Sequence, residues 1–320
     1  MAASSSPIAV AHYCEGAGHA TRMLAVATAL EDAGREVVLA GGGPGQQFLE
    51  CNGFESVQPT PVNFIEGYQR GARRDVLTES ISAVLGRIRD FLDWLREVEP
   101  AYLVTDDIFA AVAATVCNLD YYFISHDPAS FYETVPERIG AKLRHAFAKA
   151  TAELFVLPKA WTGEPMIAGT RAVPPIAQPT NIMADGVGAV DVLVVPSAYT
   201  TDESRLRAAI EETGRSVTLV GDADWETKPS LQPYIEAANV VVCSGYSTVM
   251  EAAVAGTRCI VLPYTSEQRG VARAVAERPG FYDARSVEAA VALLDRVDAP
   301  DSRANGATVI AEQIMDDAAV

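Results

Sequence analysis

Two glycine turns, each set between an apolar run and an amphipathic one, constrain this chain more than any other feature. The first is Cys14-Glu15-Gly16-Ala17-Gly18-His19-Ala20-Thr21-Arg22. It follows the apolar residues 8–13 and opens the amphipathic residues 23–30. The second is Ser244-Gly245-Tyr246-Ser247-Thr248, between the apolar residues 240–243 and a helix-like run ending near Gly256. A strand feeding a helix through glycine predicts an α/β unit. Glycine lets the backbone turn sharply there and lets a ligand come close. The helix that follows presents unpaired N–H groups and a partial positive charge at its start.

The same alternation runs along the chain. Strands are predicted at 8–13, 36–40, 102–105, 121–125 and 154–157. Helices are predicted at 19–33, 46–51, 77–98, 108–117 and 137–150. After the prolines Pro158, Pro165, Pro174, Pro175 and Pro179 the pattern restarts. Strands follow at 192–195, 217–220, 240–243 and 259–262, and helices at 203–212, 247–255, 267–276, 287–294 and 306–317. This reads as two tandem doubly wound, Rossmann-like α/β domains, at 1–157 and 181–320, joined by a linker at 158–180. Right-handed crossovers place the loops after the strands along one edge, where ligands bind.

Composition narrows the function classes. The chain carries 42 Asp+Glu against 25 Lys+Arg, a net charge of -17. That disfavours nucleic acid or an anionic bilayer as a general partner. Only Lys142, Lys149, Lys159 and Lys228 are lysines. An acid-rich, lysine-poor surface suits a high-salt, halophile-like cytoplasm, where screening removes self-repulsion. An ordinary acidic protein of a GC-rich genome is the alternative. Five scattered cysteines without a CxxC pair suggest neither a zinc site nor a disulfide framework. The expectation is a cytoplasmic protein without signal peptide or membrane span.

Each candidate site residue has a functional and a plain structural reading. His19, at a helix start beside Gly18, has the chemistry of a general base. Asp106 and Asp107 follow the strand at 102–105, and either can orient that imidazole; either can equally cap the next helix. Arg22 lies one turn after His19 and can meet a phosphate or form a surface ion pair. In the turn that Ser244 opens, backbone N–H groups at Gly245 to Thr248, with the hydroxyls of Ser247 and Thr248, can hold a diphosphate, and Glu251 can accept both hydroxyls of a ribose. The plain alternatives are Ser247 as a cap and Glu251 as a surface residue. Glu267 and Gln268 can hold vicinal sugar hydroxyls, or start a helix capped by Ser266. His12 reads as a core histidine, His145 as a solvated one, and His126 as a spare base. Trp225 can line a base pocket or pack at the surface. Arg70, Arg73, Arg74, Arg87 and Arg89 form a local basic patch, read as a phosphorylated-lipid or membrane contact or as a helix face paired with acids.

With these residues assembled, the chain resembles the GT-B fold glycosyltransferases. The likeness is to the family 28-like branch that contains the lipid-linked N-acetylglucosaminyltransferase of cell-wall synthesis. It is carried by Gly16-Ala17-Gly18-His19-Ala20-Thr21-Arg22, by Ser244 to Glu251 and by Glu267-Gln268. The resemblance implies two lobes facing a cleft, with the nucleotide sugar, usually UDP-linked, on the C-terminal one and the acceptor on the other. It implies inverting transfer without a metal or other cofactor, the nucleotide sugar being a co-substrate. The acceptor is then lipid-linked or a small molecule, with peripheral membrane contact. On that reading His19 deprotonates the acceptor, the turn at 244–248 stabilises the diphosphate, Glu251 holds the ribose, and Glu267 and Gln268 hold the sugar. The helix at 306–317 is expected to cross back to the first lobe. Two alternatives stand beside transfer: a nucleotide-sugar hydrolase with water as acceptor, and a noncatalytic nucleotide-sugar-binding protein.

Overall fold

The computed structural model describes residues 6–62, 74–163, 166–179, 187–296 and 298–317, with only the backbone for 74–80. The chain folds as two compact units. The first comprises Met1–Ser125, Arg144–Val156 and Gly169–Arg171; the second comprises His126–Leu143, Leu157–Ala168 and Ala172–Val320.

In the first unit, β1 (Ile8–Ala11) is buried on both faces, as a central strand of a parallel sheet must be. It pairs in parallel with β2 (Val37–Ala40) on one side and β4 (Tyr102–Thr105) on the other. The rest of the seven-stranded sheet is β3 (Ser56–Val57), β5 (Tyr121–Ile124), β6 (Leu154–Pro158) and β7 (Arg171–Val173), in the order β3-β2-β1-β4-β5-β6-β7. The helices are α1 (Ala17–Asp32), α2 (Gln46–Cys51), α3 (Arg74–Val98), α4 (Ile108–Cys117) and α5 (Val135–Thr151), the last shared by the two units. Strand order reverses between β1 and β4. Their connections leave in opposite directions and open a crevice at the strand C-termini.

The second unit has a five-stranded sheet. Its strands are β8 (Val190–Val195), β9 (Val217–Leu219), β10 (Ala238–Cys243), β11 (Cys259–Val261) and β12 (Phe281–Asp283), in the order β12-β11-β10-β8-β9. Its helices include α6 (Glu203–Glu211), α7 (Gln232–Ala237), α8 (Tyr246–Ala255), α9 (Ser266–Val275), α10 (Val287–Ala292) and α11 (Gly306–Asp317). Leu193, Val241, Val261, Val249, Met250 and Val271 form one face of its core. Val192, Val242, Ile260, Leu206 and Ile210 form the other. Alternate residues of each strand thus point to opposite helix layers.

The tertiary structure departs from the sequence expectation in two places. Residues 126–143 fold with the second unit, because Phe131 enters its core. The expected linker at 158–180 contains the end of β6 and all of β7, and Ile176, Ala177 and Gln178 are buried. Helix α11 belongs to the second unit, where Gly306 donates to the Pro175 carbonyl at 2.7 Å. A Cβ at Gly306 would lie 2.1 Å from the Pro174 oxygen, so only glycine allows that approach. Among the described residues no helix is long and apolar enough to cross a membrane. The cysteines are free thiols; Cys14, Cys243 and Cys259 are buried.

Candidate active site

The first unit builds a buried charge cluster at its strand-order reversal. Gly16 precedes α1 with φ at 85°, a conformation that L side chains rarely adopt. No side chain caps that helix start. Gly18 and His19 lie in the first turn, where the Thr21 hydroxyl donates to the Gly18 carbonyl at 3.3 Å. Asp106 follows β4 and is kept beside the β1 loop by its own N–H, which donates to Ala11 O at 3.4 Å. Its Oδ1 accepts the Tyr13 N–H at 2.9 Å. Its Oδ2 lies 2.8 Å from His19 Nδ1 and accepts from Arg22 Nη2 at 2.5 Å.

Arg22 Nη2 also lies 3.0 Å from His19 Nδ1. Two donors cannot share a hydrogen bond with each other. A carboxylate oxygen facing Nδ1 requires the proton on that nitrogen, so the Arg22 approach is a lateral contact. The imidazole then keeps its lone pair on Nε2, where it can take a proton. The His19 side chain is 23% exposed, while those of Asp106 and Arg22 are each 1% exposed. The ring is reachable and its orienting pair is not. Burial pushes Asp106 upward, but His19, Arg22 and the Tyr13 N–H outweigh it and hold the carboxyl well below the usual range. The Tyr13 ring stands edge-on to His19 at 5.4 Å, and its hydroxyl donates to Glu15 at 2.9 Å. Nothing in the local sequence distinguishes Tyr13 as a wall of this site.

Asp107, the other expected partner of His19, is placed elsewhere. Its Oδ1 caps α4 by accepting the Phe109 and Ala110 N–H groups at 2.7 and 3.4 Å. Its Oδ2 accepts Arg87 Nε at 2.7 Å. Both oxygens are engaged by these partners, and the residue is fully buried. Arg87 is fully buried and also donates to the carbonyls of Thr60, His12 and Gly41 at 3.1, 3.2 and 3.0 Å. It pins strand ends together and cannot belong to a surface patch. Arg89 pairs at 3.7 Å with Asp93 on the helix face. Arg70, Arg73 and the Arg74 side chain lie outside the described residues. Arg22 is likewise buried behind His19 rather than presented to a phosphate.

The remaining histidines separate by burial. His12 is a core residue whose Nδ1–H donates to Tyr13 O at 3.0 Å, and burial pushes it down to about 4. His145, expected in solvent, is buried against Phe155, with Nε2 3.4 Å from Ser125 Oγ. It shares the inward face of α5 with Ala141 and Ala148.

In the second unit, β10 ends at Cys243 and the chain enters α8 through Ser244 and Gly245. No side chain caps α8. A Cβ at Gly245 would meet nothing within 4 Å, so the turn faces open space. Ser244 Oγ is buried without a hydrogen-bond partner among the described residues. Ser247 and Thr248 occupy the first turn, with Thr248 buried. Glu251 is not a surface residue: it is 7% exposed, and burial pushes its carboxyl up to about 8. A buried carboxyl beside an uncapped helix start suits a polar ligand better than it suits a core.

A helix does start here, but through a capping box in which Thr265, not Ser266, is the cap. Gln268 Oε1 accepts the Tyr264 and Thr265 N–H groups at 2.8 and 3.1 Å, and its Nε2 donates to Ser197 Oγ at 3.2 Å. Gln268 therefore ties the loop after β8 to that after β11, and its oxygen is occupied. Glu267 Oε1 lies 4.0 Å from His126 Nε2. Trp225 packs edge-on against Tyr234 at 5.1 Å, the plain alternative to a base pocket.

No protein-family model and no curated protein matches this chain. Solved structures do. The Streptomyces sp. SF2575 glycosyltransferase SsfS6, complexed with thymidine diphosphate, aligns at a TM-score of 0.66 and 17% identity over 97% of this chain and 99% of that one. The spinosyn rhamnosyltransferase SpnG, also complexed with thymidine diphosphate, aligns at 0.60 and 17% over 97% and 95%. Acinetobacter baumannii MurG aligns at 0.60 and 13% over 98% and 99%. The shared architecture is the two-domain, Rossmann-like GT-B fold.

Proposed function

We propose that this chain is a glycosyltransferase that moves a sugar from a nucleoside-diphosphate sugar to a hydroxyl acceptor. The observation that carries the reading is the His19–Asp106 pair: a reachable imidazole oriented by an ionised, buried carboxylate at the strand-order reversal of a GT-B chain. His19 Nε2 takes the acceptor proton as the acceptor oxygen bonds to C1 of the sugar. The C1–O bond to phosphate breaks, and its electron pair leaves with the diphosphate. Displacement by the acceptor itself inverts the configuration at C1. The uncapped start of α8, with Ser244 and Gly245, takes the leaving-group charge, so the reading needs no metal. Glu251 holds the ribose, and Glu267 holds the sugar with the remaining N–H of Gln268.

The two neighbours with thymidine diphosphate bound put thymine beside uracil as the candidate base. Of the arginines that suggested a lipid-linked acceptor, Arg87 is buried, so small hydroxyl acceptors belong in the assay on equal terms. The test is a thermal-shift panel of UDP, TDP and their sugars, since a ligand of the native state raises Tm by mass action. A responding donor is then assayed with acceptors, and His19→Ala should abolish transfer while leaving donor binding intact. A panel without any shift, or full turnover by His19→Ala, refutes the proposal. Release of free sugar as the sole product, whatever the acceptor, assigns the activity to hydrolysis.

A further inference from the structure

We propose that the acceptor is an uncharged aromatic molecule that reacts through a phenolic hydroxyl, and that Tyr13 and Phe109 recognise it; this rests on the glycosyltransferase reading above. The first support is a row of rings that begins at the base. Tyr13 follows β1 and Phe109 lies in the first turn of α4, so both stand at the C-terminal edge of the first sheet, where strand order reverses. The Tyr13 ring centroid is 5.4 Å from that of His19 and 6.5 Å from that of Phe109. Both spacings are those at which aromatic rings attract one another. All three residues are partly exposed, whereas β1, Asp106 and Ala110 beside them are buried. A Cβ at Gly16 would meet nothing within 4 Å, so the turn before His19 borders open space. A planar acceptor with its hydroxyl at His19 Nε2 lies along Tyr13 and Phe109.

The second support is charge. The Tyr13 hydroxyl donates to Glu15 Oε2 at 2.9 Å. Burial and that carboxylate push the phenol well above its usual range, so Tyr13 stays neutral and serves as a wall rather than a second base. Glu15 is itself partly exposed and puts negative charge on this side of His19. An acceptor that carries a phosphate or a carboxylate is repelled there. The Arg22 side chain, which could offset that charge, is 1% exposed and engaged by Asp106. Two aromatic walls beside a carboxylate suit a neutral, flat molecule.

The third support is how the base is held. Asp106 Oδ2 meets His19 Nδ1 and Arg22 Nη2 together, at 2.8 and 2.5 Å. The guanidinium answers much of the carboxylate's charge, so what Asp106 supplies is chiefly the orientation of the ring. A base held in this way suits a hydroxyl that gives up its proton readily. A phenol ionises at about 10, against about 15.7 for water, which an aliphatic alcohol resembles. In transfer, the phenolic proton passes to His19 Nε2 as the phenolic oxygen bonds to C1 of the sugar. The C1–O bond to phosphate breaks, its electron pair leaves with the diphosphate, and the product is an aryl glycoside.

The experiment gives the full-length protein, with the donor that thermal shift identifies, three acceptors: 2-naphthol, its saturated counterpart decahydro-2-naphthol, and the anionic 6-hydroxy-2-naphthoate. The kcat/KM for 2-naphthol should exceed that for decahydro-2-naphthol about 100-fold or more, and that for the naphthoate about tenfold. Phe109→Leu should raise the KM for 2-naphthol about fivefold, with kcat and donor Kd unchanged, and Phe109→Tyr should restore it. Equal kcat/KM for 2-naphthol and decahydro-2-naphthol, or a preference for the naphthoate, overturns the inference. So does a Phe109→Leu enzyme that keeps its KM or loses kcat alone. Should Phe109→Leu melt early, the ranking of the three acceptors by the wild-type protein decides. If no donor binds, or if His19→Ala transfers at full rate, the glycosyltransferase reading falls as well. A bound donor with His19-dependent transfer to decahydro-2-naphthol alone, or with no transfer to 2-naphthol, removes only the aromatic acceptor.

Discussion

Replacing Glu251 by glutamine should stabilise the second unit, and increasingly so as the pH rises. The carboxyl is 7% exposed, and burial pushes it up to about 8. In the unfolded chain a glutamate ionises at about 4.3. A raised folded value means that the native state holds the proton longer than the unfolded one. The stability from this group is complete below the unfolded value and is lost as pH rises toward about 8. Each pH unit between the two removes about 1.4 kcal/mol. From pH 5 to pH 8 the loss amounts to about 3.5 kcal/mol after rounding at both ends. Glutamine has the same shape and no proton to lose. The difference in unfolding free energy, Glu251→Gln minus wild type, should therefore grow by about 3 kcal/mol across that range. His12 makes the comparison necessary. Burial pushes it down to about 4, so its contribution is lost as pH falls from near 6.5 and partly masks the wild-type trend. Urea unfolding at pH 5, 6, 7 and 8, followed by the fluorescence of Trp94, Trp161 and Trp225, measures the difference. Parallel pH profiles for the two proteins would refute the buried-carboxyl argument.

Further outcomes follow from the same structure. Asp106→Asn should lower the transfer rate about 10²–10⁴-fold by failing to fix the His19 tautomer, with donor Kd unchanged; comparable rates would exclude an orienting role. Arg87→Met should destabilise the first unit by about 3–5 kcal/mol, because Asp107 is left as an unpaired buried charge. Adding Asp107→Asn should recover part of that loss in chemical denaturation, and strict additivity would contradict the pairing. Gly270→Ala should cost about 1–3 kcal/mol by driving a methyl against the Phe131 backbone. Raising KCl from low salt should increase Tm, since the net charge of -17 repels itself until screened. A Tm that is flat or falling with salt would remove the high-salt reading.

Much of the fold was legible because alternation of strand and helix is written locally. Runs such as 102–105 and 108–117 coincide with β4 and α4, since buried parallel strands are continuous apolar stretches and Asp107 is a good cap. The short edge strands β3, β7 and β12 carry too few residues for a periodic signal. His145 misled for a related reason. Its neighbours Arg144 and Lys149 are polar, but the inward face of α5 is set by its partner strand rather than by adjacent residues.

The chain alone determined that a glycine turn would place His19 at a helix start after a strand, and that a matching turn would place Ser244 and Gly245 before α8. Those are consequences of backbone sterics and hydrophobic period, which act over a few residues. Only the tertiary structure decided that Asp106 rather than Asp107 meets the imidazole, that Arg22 and Arg87 are buried, and that residues 126–143 join the second unit. The cause is separation along the chain. His19 and Asp106 are 87 positions apart, and Glu133 and Arg269 are 136 apart. Such pairs are selected by the register of a parallel sheet and the packing of its helices, for which no local pattern codes.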